Sequence, residues 1–408
     1  MVQKIFYGWW VVVATFIVQL IGVAGAFYTV SVFLEPLHTT FGWSTTQISL
    51  AFTIAALLTG LLSPLVGWAV SRIGVRNVQI YGVIVCGISL MALGSIQQLW
   101  HYFVLFAFMA SGLVCITIVT VQTLISFWFT KKRGIAMGIV MAGVGLGGML
   151  MVFLASQIVG AFGWRWAYRI LGCMEFAIVL PMILIFVKNK PQDLGLVPDG
   201  VALTATESQQ QAAQGSLTLA QGAKSLAFYL LCTLSMIVFF MVGGFTQHAI
   251  ALLKSLNVAR ADVFWGLVLG MSVFGRFGFG ALADKISKKT TLISVLVFIL
   301  LGIGSILFLS LDSMLVWGFI LFFGCGYGGF ITVFPLLLGE IFGLEHFSKY
   351  VGVFGLVQVL SLAFGIVCLG RIYDTSGSYV GAIQLLMILA VVGTIAAILV
   401  SDPRKKLQ

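Results

Sequence analysis

Charge is what this chain has least of. Only 8% of its 408 residues are Asp, Glu, Lys or Arg, against about a quarter in soluble globular domains, which excludes a water-soluble globule. Acids are the scarcer sign, 12 against 22 bases. The resulting net charge of +10 does not point to nucleic acid, because the bases fall in short clusters between apolar runs and no nucleic-acid motif accompanies them. The six cysteines, Cys86, Cys115, Cys173, Cys232, Cys325 and Cys368, all lie in apolar runs. Their spacing is neither that of a disulfide framework nor that of a metal site, so they are read as core thiols. No nucleophile–base pair and no metal-ligand cluster lies at membrane depth, so an enzyme is not indicated, and no metal or cofactor is expected. No clear cleavage site follows the apolar start from Trp9 to Leu34, which is too long for a signal-peptide core and reads as a first membrane helix.

Hydrophobicity is present in excess, at 61% of residues and a mean hydropathy of +1.13. Apolar runs fall near 9–37, 44–70, 76–96, 101–129, 133–161 and 166–187, then resume near 225–253, 262–284, 289–310, 314–342, 349–373 and 378–400. Each is long enough to cross a bilayer as a helix. The expected fold is therefore an all-α integral membrane protein of twelve transmembrane helices in two pseudo-symmetric six-helix bundles. The bundles span 1–188 and 225–408, joined by a polar linker over 189–224 that carries Pro191, Pro198 and a Gln/Ala/Ser/Thr-rich run unable to bury a core. Most of the 22 bases, among them Arg72, Arg76, Lys131 to Arg133, Lys188, Lys190, Lys285, Lys288 and Arg404 to Lys406, fall on one side of the spans. That side also holds the linker and both termini, which places them in the cytoplasm of a multi-pass protein of the cell membrane. The lipid bilayer is its expected surroundings, and no obligate protein partner is evident.

Arg276 breaks the pattern. It is the only charge in the run from Val263 to Ala283, and an arginine at that depth costs roughly 2.5–3.5 kcal/mol on insertion scales. It should face a protein interior or a wet cavity and meet an anion there. Its planar guanidinium offers two parallel donors that match a carboxylate. The structural alternative is pairing with a buried acid. Glu175 is the only carboxylate well inside an apolar run, while Glu35 and Glu340 lie near run ends.

Polar and aromatic residues at mid-helix depth complete a candidate cavity. Tyr28 on the first helix has a hydroxyl that needs a partner, either a substrate or a backbone carbonyl. Tyr327 lies in Gly324-Cys-Gly-Tyr-Gly-Gly-Phe330, where glycines allow close approach or bending near a site. Gln358 and Thr117 are further lining candidates, and Leu146 and Phe354 are candidates for an apolar wall against a short methyl-bearing tail. His248 is the only histidine away from helix ends. It is a candidate proton carrier, or else a hydrogen-bonded packing residue. The glycine-rich stretch from Gly134 to Gly148 has no preceding strand and no Lys-Ser/Thr ending, so it reads as a packing face and not a nucleotide loop.

The two halves resemble one another. Gly67 to Arg76 matches Gly280 to Lys289, Gly112 to Thr123 matches Gly324 to Pro335, and Gly25-Ala-Phe27 matches Gly243-Gly-Phe245, all at similar offsets. Such a duplication marks transporters whose site lies between parallel repeats. Gly280-x-x-x-Asp284-Lys285 resembles the cytoplasmic loop signature of the major facilitator superfamily. Narrower motifs are Phe127-Trp-Phe-Thr-Lys-Lys-Arg-Gly-Ile-Ala-Met-Gly138 with Ala142-Gly143, Tyr7-Gly8-Trp9-Trp10, and Tyr373-Asp374-x-x-Gly377-Ser378-Tyr379. These are similar to signatures of the monocarboxylate transporter family.

The resemblance implies a major facilitator fold and proton-coupled symport of lactate-like or pyruvate-like anions by alternating access, with a small monocarboxylate and a proton as partners. Arg276 would then bind the carboxylate, and Asp284 with Lys285 would latch the cytoplasmic helix end as a gate. Two departures bear on coupling. The acid that animal members carry four residues before the eighth-helix arginine is Ser272 here, and their first-helix lysine aligns with Tyr28. The oxalate and formate exchangers, a sister group, are also similar, but Ser361 stands where they carry a second intramembrane cation, and one cation suits one carboxylate. The alternatives are organic-anion exchange of that type and, outside transport, a membrane sensor of monocarboxylates.

Overall fold

In the computed structural model, which describes residues 6–200, 216–256, 258, 261–308 and 314–403, every regular element is helical among the described residues. The Gln/Ala-rich run over 201–215, Arg260 and the cluster Arg404 to Lys406 lie outside them. Among the described residues, twelve helices are long and apolar enough to cross a membrane. They are α1 (Gly8–Phe41), α2 (Thr45–Ile73), α3 (Val75–Leu93), α4 (Leu99–Trp128), α5 (Arg133–Phe162), α6 (Trp164–Phe186), α7 (Leu226–Ser255), α8 (Ala261–Lys285), α9 (Lys288–Leu307), α10 (Leu315–Phe342), α11 (Phe347–Ser376) and α12 (Val380–Leu399). Each expected apolar run is one of these helices. The reason is general: a backbone that meets hydrocarbon must satisfy its own hydrogen bonds, and a helix does so within one segment.

Several turns are as short as geometry permits. Gly74 between α2 and α3 has φ 82° and Gly163 between α5 and α6 has φ 81°, a left-handed conformation that a side chain disfavours and glycine accepts freely. One residue thus ends one helix and starts the next.

The chain forms two compact units. The first comprises Met1–Thr130, Ile139–Ala202 and Val351–Leu356. Its helices meet through glycine. A Cβ on Gly82 of α3 would lie 2.7 Å from the Gly112 carbonyl oxygen of α4, and one on Gly112 would lie 2.7 Å from that of Gly82. On α5, a Cβ on Gly143 would lie 2.8 Å from the Phe16 carbonyl oxygen of α1. Van der Waals packing of backbone on backbone substitutes here for the hydrophobic drive that lipid does not supply.

The second unit comprises Lys131–Gly138, Leu203–Tyr350 and Val357–Gln408. A Cβ on Gly275 of α8 would collide with the Cys325 carbonyl oxygen of α10, one on Gly328 with that of Ser272, and one on Gly324 would sit 2.7 Å from that of Val268. α7 and α11 pack likewise, Gly243 on Leu362 and Gly365 on Phe240. The polar linker is tied down at both ends. Asp199 accepts a hydrogen bond from the Thr130 amide (2.7 Å) in the first unit. In the second, the Leu217 amide donates to the Phe342 carbonyl (3.0 Å) and Tyr350 donates to the Thr218 carbonyl (2.8 Å).

Gly328→Val forces α8 and α10 apart. It is expected to cost about 1–3 kcal/mol or more, read as a lower midpoint of thermal unfolding in detergent.

Candidate functional site

Arg276 is 6% exposed and lies nine residues before the end of α8, or about 14 Å at 1.5 Å per residue. A Cβ on Gly138 of α5 would stand 2.7 Å from the Arg276 carbonyl oxygen, so the start of α5 packs on the backbone at this point. The glycine seam with α10 runs along α8 through Val268, Ser272 and Gly275. It leads directly up to Arg276. In the midst of the facing stretch of α10 stands Tyr327, half-buried, its hydroxyl making no hydrogen bond among the described residues. Gln358 on α11 is 8% exposed, and its amide likewise has no hydrogen bond there.

The hydroxyls of Ser272 and Ser361 are satisfied locally. Ser272 donates to the Leu269 carbonyl (2.6 Å) and Ser361 to that of Val357 (2.7 Å). Neither is arranged to hold a mobile proton.

His248 on α7 is engaged at both ring nitrogens, with Nε2 3.0 Å from the Ile366 carbonyl oxygen and Nδ1 3.2 Å from the Tyr379 hydroxyl. A carbonyl only accepts, so Nε2 carries a hydrogen toward Ile366. Tyr379 in turn stacks on Tyr373 at 4.4 Å. These two hydrogen bonds tie α7 to α11 and to the start of α12.

Asp284 and Lys285 part company. The Asp284 carboxylate accepts the amides of Gly134 (2.7 Å) and Ile135 (2.9 Å), two of the N–H groups that the first turn of any helix leaves without an internal partner. Lys285 is exposed. The cation that pairs nearby is Lys288, 2.7 Å from Glu340 of α10.

In the first unit, Tyr28 is 40% exposed, and its ring lies 3.3 Å from a Cβ built on Gly148 of α5. Leu146, two residues away on α5, is 39% exposed. Phe354 is fully buried at 1%, in the piece of α11 held to α2 by Ser63 donating to the Gly352 carbonyl (2.8 Å). Thr117 is half-buried and interrupts α4, with φ −95° and ψ −146° between Leu99–Ile116 and Ile118–Trp128. Its hydroxyl donates to Val114 (3.2 Å). Broken helices of this kind are tolerated at membrane depth only where protein or a wet cavity covers the freed backbone groups.

Sequence reasoning named Thr117 without foreseeing the break, and three wide turns escaped it altogether. π segments occupy Val18–Val23 of α1, Glu175–Val179 of α6 and Phe319–Phe323 of α10. Neither carboxyl oxygen of Glu175 is hydrogen-bonded among the described residues. Its solitary position in an apolar run was the available signal.

The family model described as Major Facilitator Superfamily matches residues 15–366. A Bacillus subtilis protein named as an uncharacterized MFS-type transporter, YcxA, is 23% identical over 377 residues, covering 91% of this chain and 90% of its own. Human monocarboxylate transporter 12 is 22% identical over 406 residues, covering 93% and 77%. Among solved structures, the Escherichia coli fucose:proton symporter FucP superposes with a TM-score of 0.72 at 13% identity over 97% of this chain and 99% of its own. The proton:xylose symporter XylE gives 0.71 at 15% identity over 97% and 98%. At these identities the structures speak for the fold.

Asp284→Ala removes the acceptor of two helix N-terminal amides. It should cost about 0.5–2 kcal/mol and raise the hydrogen-exchange rate of the Gly134 and Ile135 amides above that of the rest of α5.

Proposed function

Since this chain belongs to the Major Facilitator Superfamily, whose fold is that of transporters and not of enzymes, we propose that it carries small monocarboxylates of the lactate or pyruvate kind together with a proton. Arg276 is the observation that carries this reading: a guanidinium 6% exposed on a membrane-length helix, matched in geometry to one carboxylate. Tyr327 and Gln358, whose polar atoms make no hydrogen bond among the described residues, supply further hydrogen bonds with Tyr28 and Thr117, while Leu146 and Phe354 supply the apolar wall. The similarity to human monocarboxylate transporter 12 supports the substrate class.

Transport proceeds by alternating access, the halves 1–188 and 225–408 rocking about the substrate. Capture of the carboxylate neutralises a buried cation and so lowers the cost of closing the site to water. Asp284, released from the α5 amides, is the gating contact. The basic residues near the linker and the termini set the cell-membrane topology with both ends cytoplasmic.

Ser272, whose hydroxyl is spent on Leu269, gives weight to a second reading, anion exchange without protons. An imposed pH gradient that drives no uptake into proteoliposomes would select it.

Arg276→Lys or Arg276→Gln should weaken binding of a labelled monocarboxylate by about 2–5 kcal/mol, which is roughly thirtyfold or more. Counterflow with a panel of short acids measures it, and undiminished uptake by both variants overturns the assignment.

A further inference from the structure

Glu175 stands at the middle of α6, eleven residues from Trp164 and eleven from Phe186, about 16 Å from either end. It is 1% exposed, and neither carboxyl oxygen has a hydrogen-bond partner among the described residues. Three helices of the same unit enclose it. A Cβ on Gly22 of α1 would lie 3.3 Å from Oε2 and 3.5 Å from Oε1, in a gap also bordered by Ile116 of α4, and one on Gly87 of α3 would lie 3.2 Å from the Glu175 Cβ. Any side chain larger than that of glycine at position 22 would cover the carboxyl.

The ionisable groups facing it are thiols, Cys86 of α3 and, beside that, Cys115 of α4. Among the described residues no charged group from α1, α3, α4 or α6 acts on it. With neither a donor nor a cation among the described residues, an ionised carboxylate there would be uncompensated, a cost that the neutral acid avoids. The same α1 segment carries Gln19, 2% exposed, whose Oε1 is also without a donor.

The local backbone is equally unusual. Glu175 opens the π segment Glu175–Val179, and Gly22 and Gln19 belong to the π segment Val18–Val23. A π turn holds one residue more than an α turn and is commonly found at functional sites. Relaxing it to α shifts the register of the remainder of the helix, which provides a two-state element beside the carboxyl.

We propose that Glu175 is the proton-binding site of this carrier, opened and shut by the paired π segments of α1 and α6. This rests on the monocarboxylate–proton reading above and adds the group that holds the proton. Coupling follows because an ionised Glu175 leaves an uncompensated charge in apolar surroundings, which opposes closure to water until a proton is bound.

The test begins with the unaltered protein in liposomes. A hydrophobic carbodiimide, which reacts with protonated carboxyls in apolar surroundings, should label Glu175 as located by peptide mapping. The labelling rate should fall about tenfold per pH unit above the ionisation of the site. Glu175 that stays unlabelled at every pH, or labels at a rate independent of pH, is a fixed structural acid and overturns the proposal. In proteoliposomes, a pH gradient of one unit should concentrate the monocarboxylate about tenfold at one-to-one coupling. For Glu175→Gln that ratio should fall to about unity, while the substrate still equilibrates down its own gradient. Tenfold accumulation by the variant overturns the proposal. If the unaltered protein moves no monocarboxylate at all, the transport reading fails, and the carbodiimide profile still decides whether Glu175 takes up and releases a proton. The same profile decides the matter if Glu175→Gln does not fold.

Discussion

Hydrocarbon offers neither hydrogen bonds nor charge solvation, and this molecule is shaped by that single constraint. Backbone amides and carbonyls must find partners inside the protein, which makes every span a helix. Helices surrounded by lipid gain little from burying more apolar surface, so they associate where backbones can touch. The reciprocal approach of Gly82 and Gly112, and the line of Gly275, Gly324 and Gly328 between α8 and α10, are contacts of that kind. Charged groups are confined to helix ends, where Lys288 meets Glu340 and Asp284 receives the first amides of α5. Arg276 and Glu175 are the costly exceptions, one in each compact unit.

Irregular backbone collects around those exceptions. Of the three π segments, one begins at Glu175 and another holds Gly22 against it. The third, Phe319–Phe323, ends immediately before the glycine-rich stretch that contains Tyr327. α4 breaks at Thr117. A straight α-helix presents the same hydrogen-bonded surface along its whole length, whereas a wide turn or a break frees backbone groups and permits a second local register. Energetic cost is concentrated at these few places, and the remaining surface is left to regular packing.

Much of this could be read from residue order. The apolar runs marked all twelve spans because length and hydropathy are local properties, and Arg276 stood out because a lone charge in such a run is conspicuous in one dimension. Glu175 was visible in the same way, but as a possible mate for Arg276. That its oxygens face Gly22 and its Cβ faces Gly87 depends on which helices lie beside α6. The hydrogen-bond partners of His248, Tyr379 and the Ile366 carbonyl, lie 131 and 118 residues away in the chain and could not be read from residue order. Asp284 and Lys285, adjacent in a shared motif, differ because only the aspartate reaches the amides of α5.

Composition and periodicity alone determined that the chain would be a bundle of twelve membrane-length helices with a solitary arginine inside, since each of those facts is fixed within about twenty consecutive residues. Tertiary structure decided which polar groups are already satisfied by the protein and which are not. Satisfaction is a property of pairs, and in a bundle the members of a pair come from helices far apart in sequence. Ser272 and His248 are therefore engaged, whereas among the described residues Tyr327 and Gln358 make no side-chain hydrogen bond and Glu175 has no donor in the middle of α6.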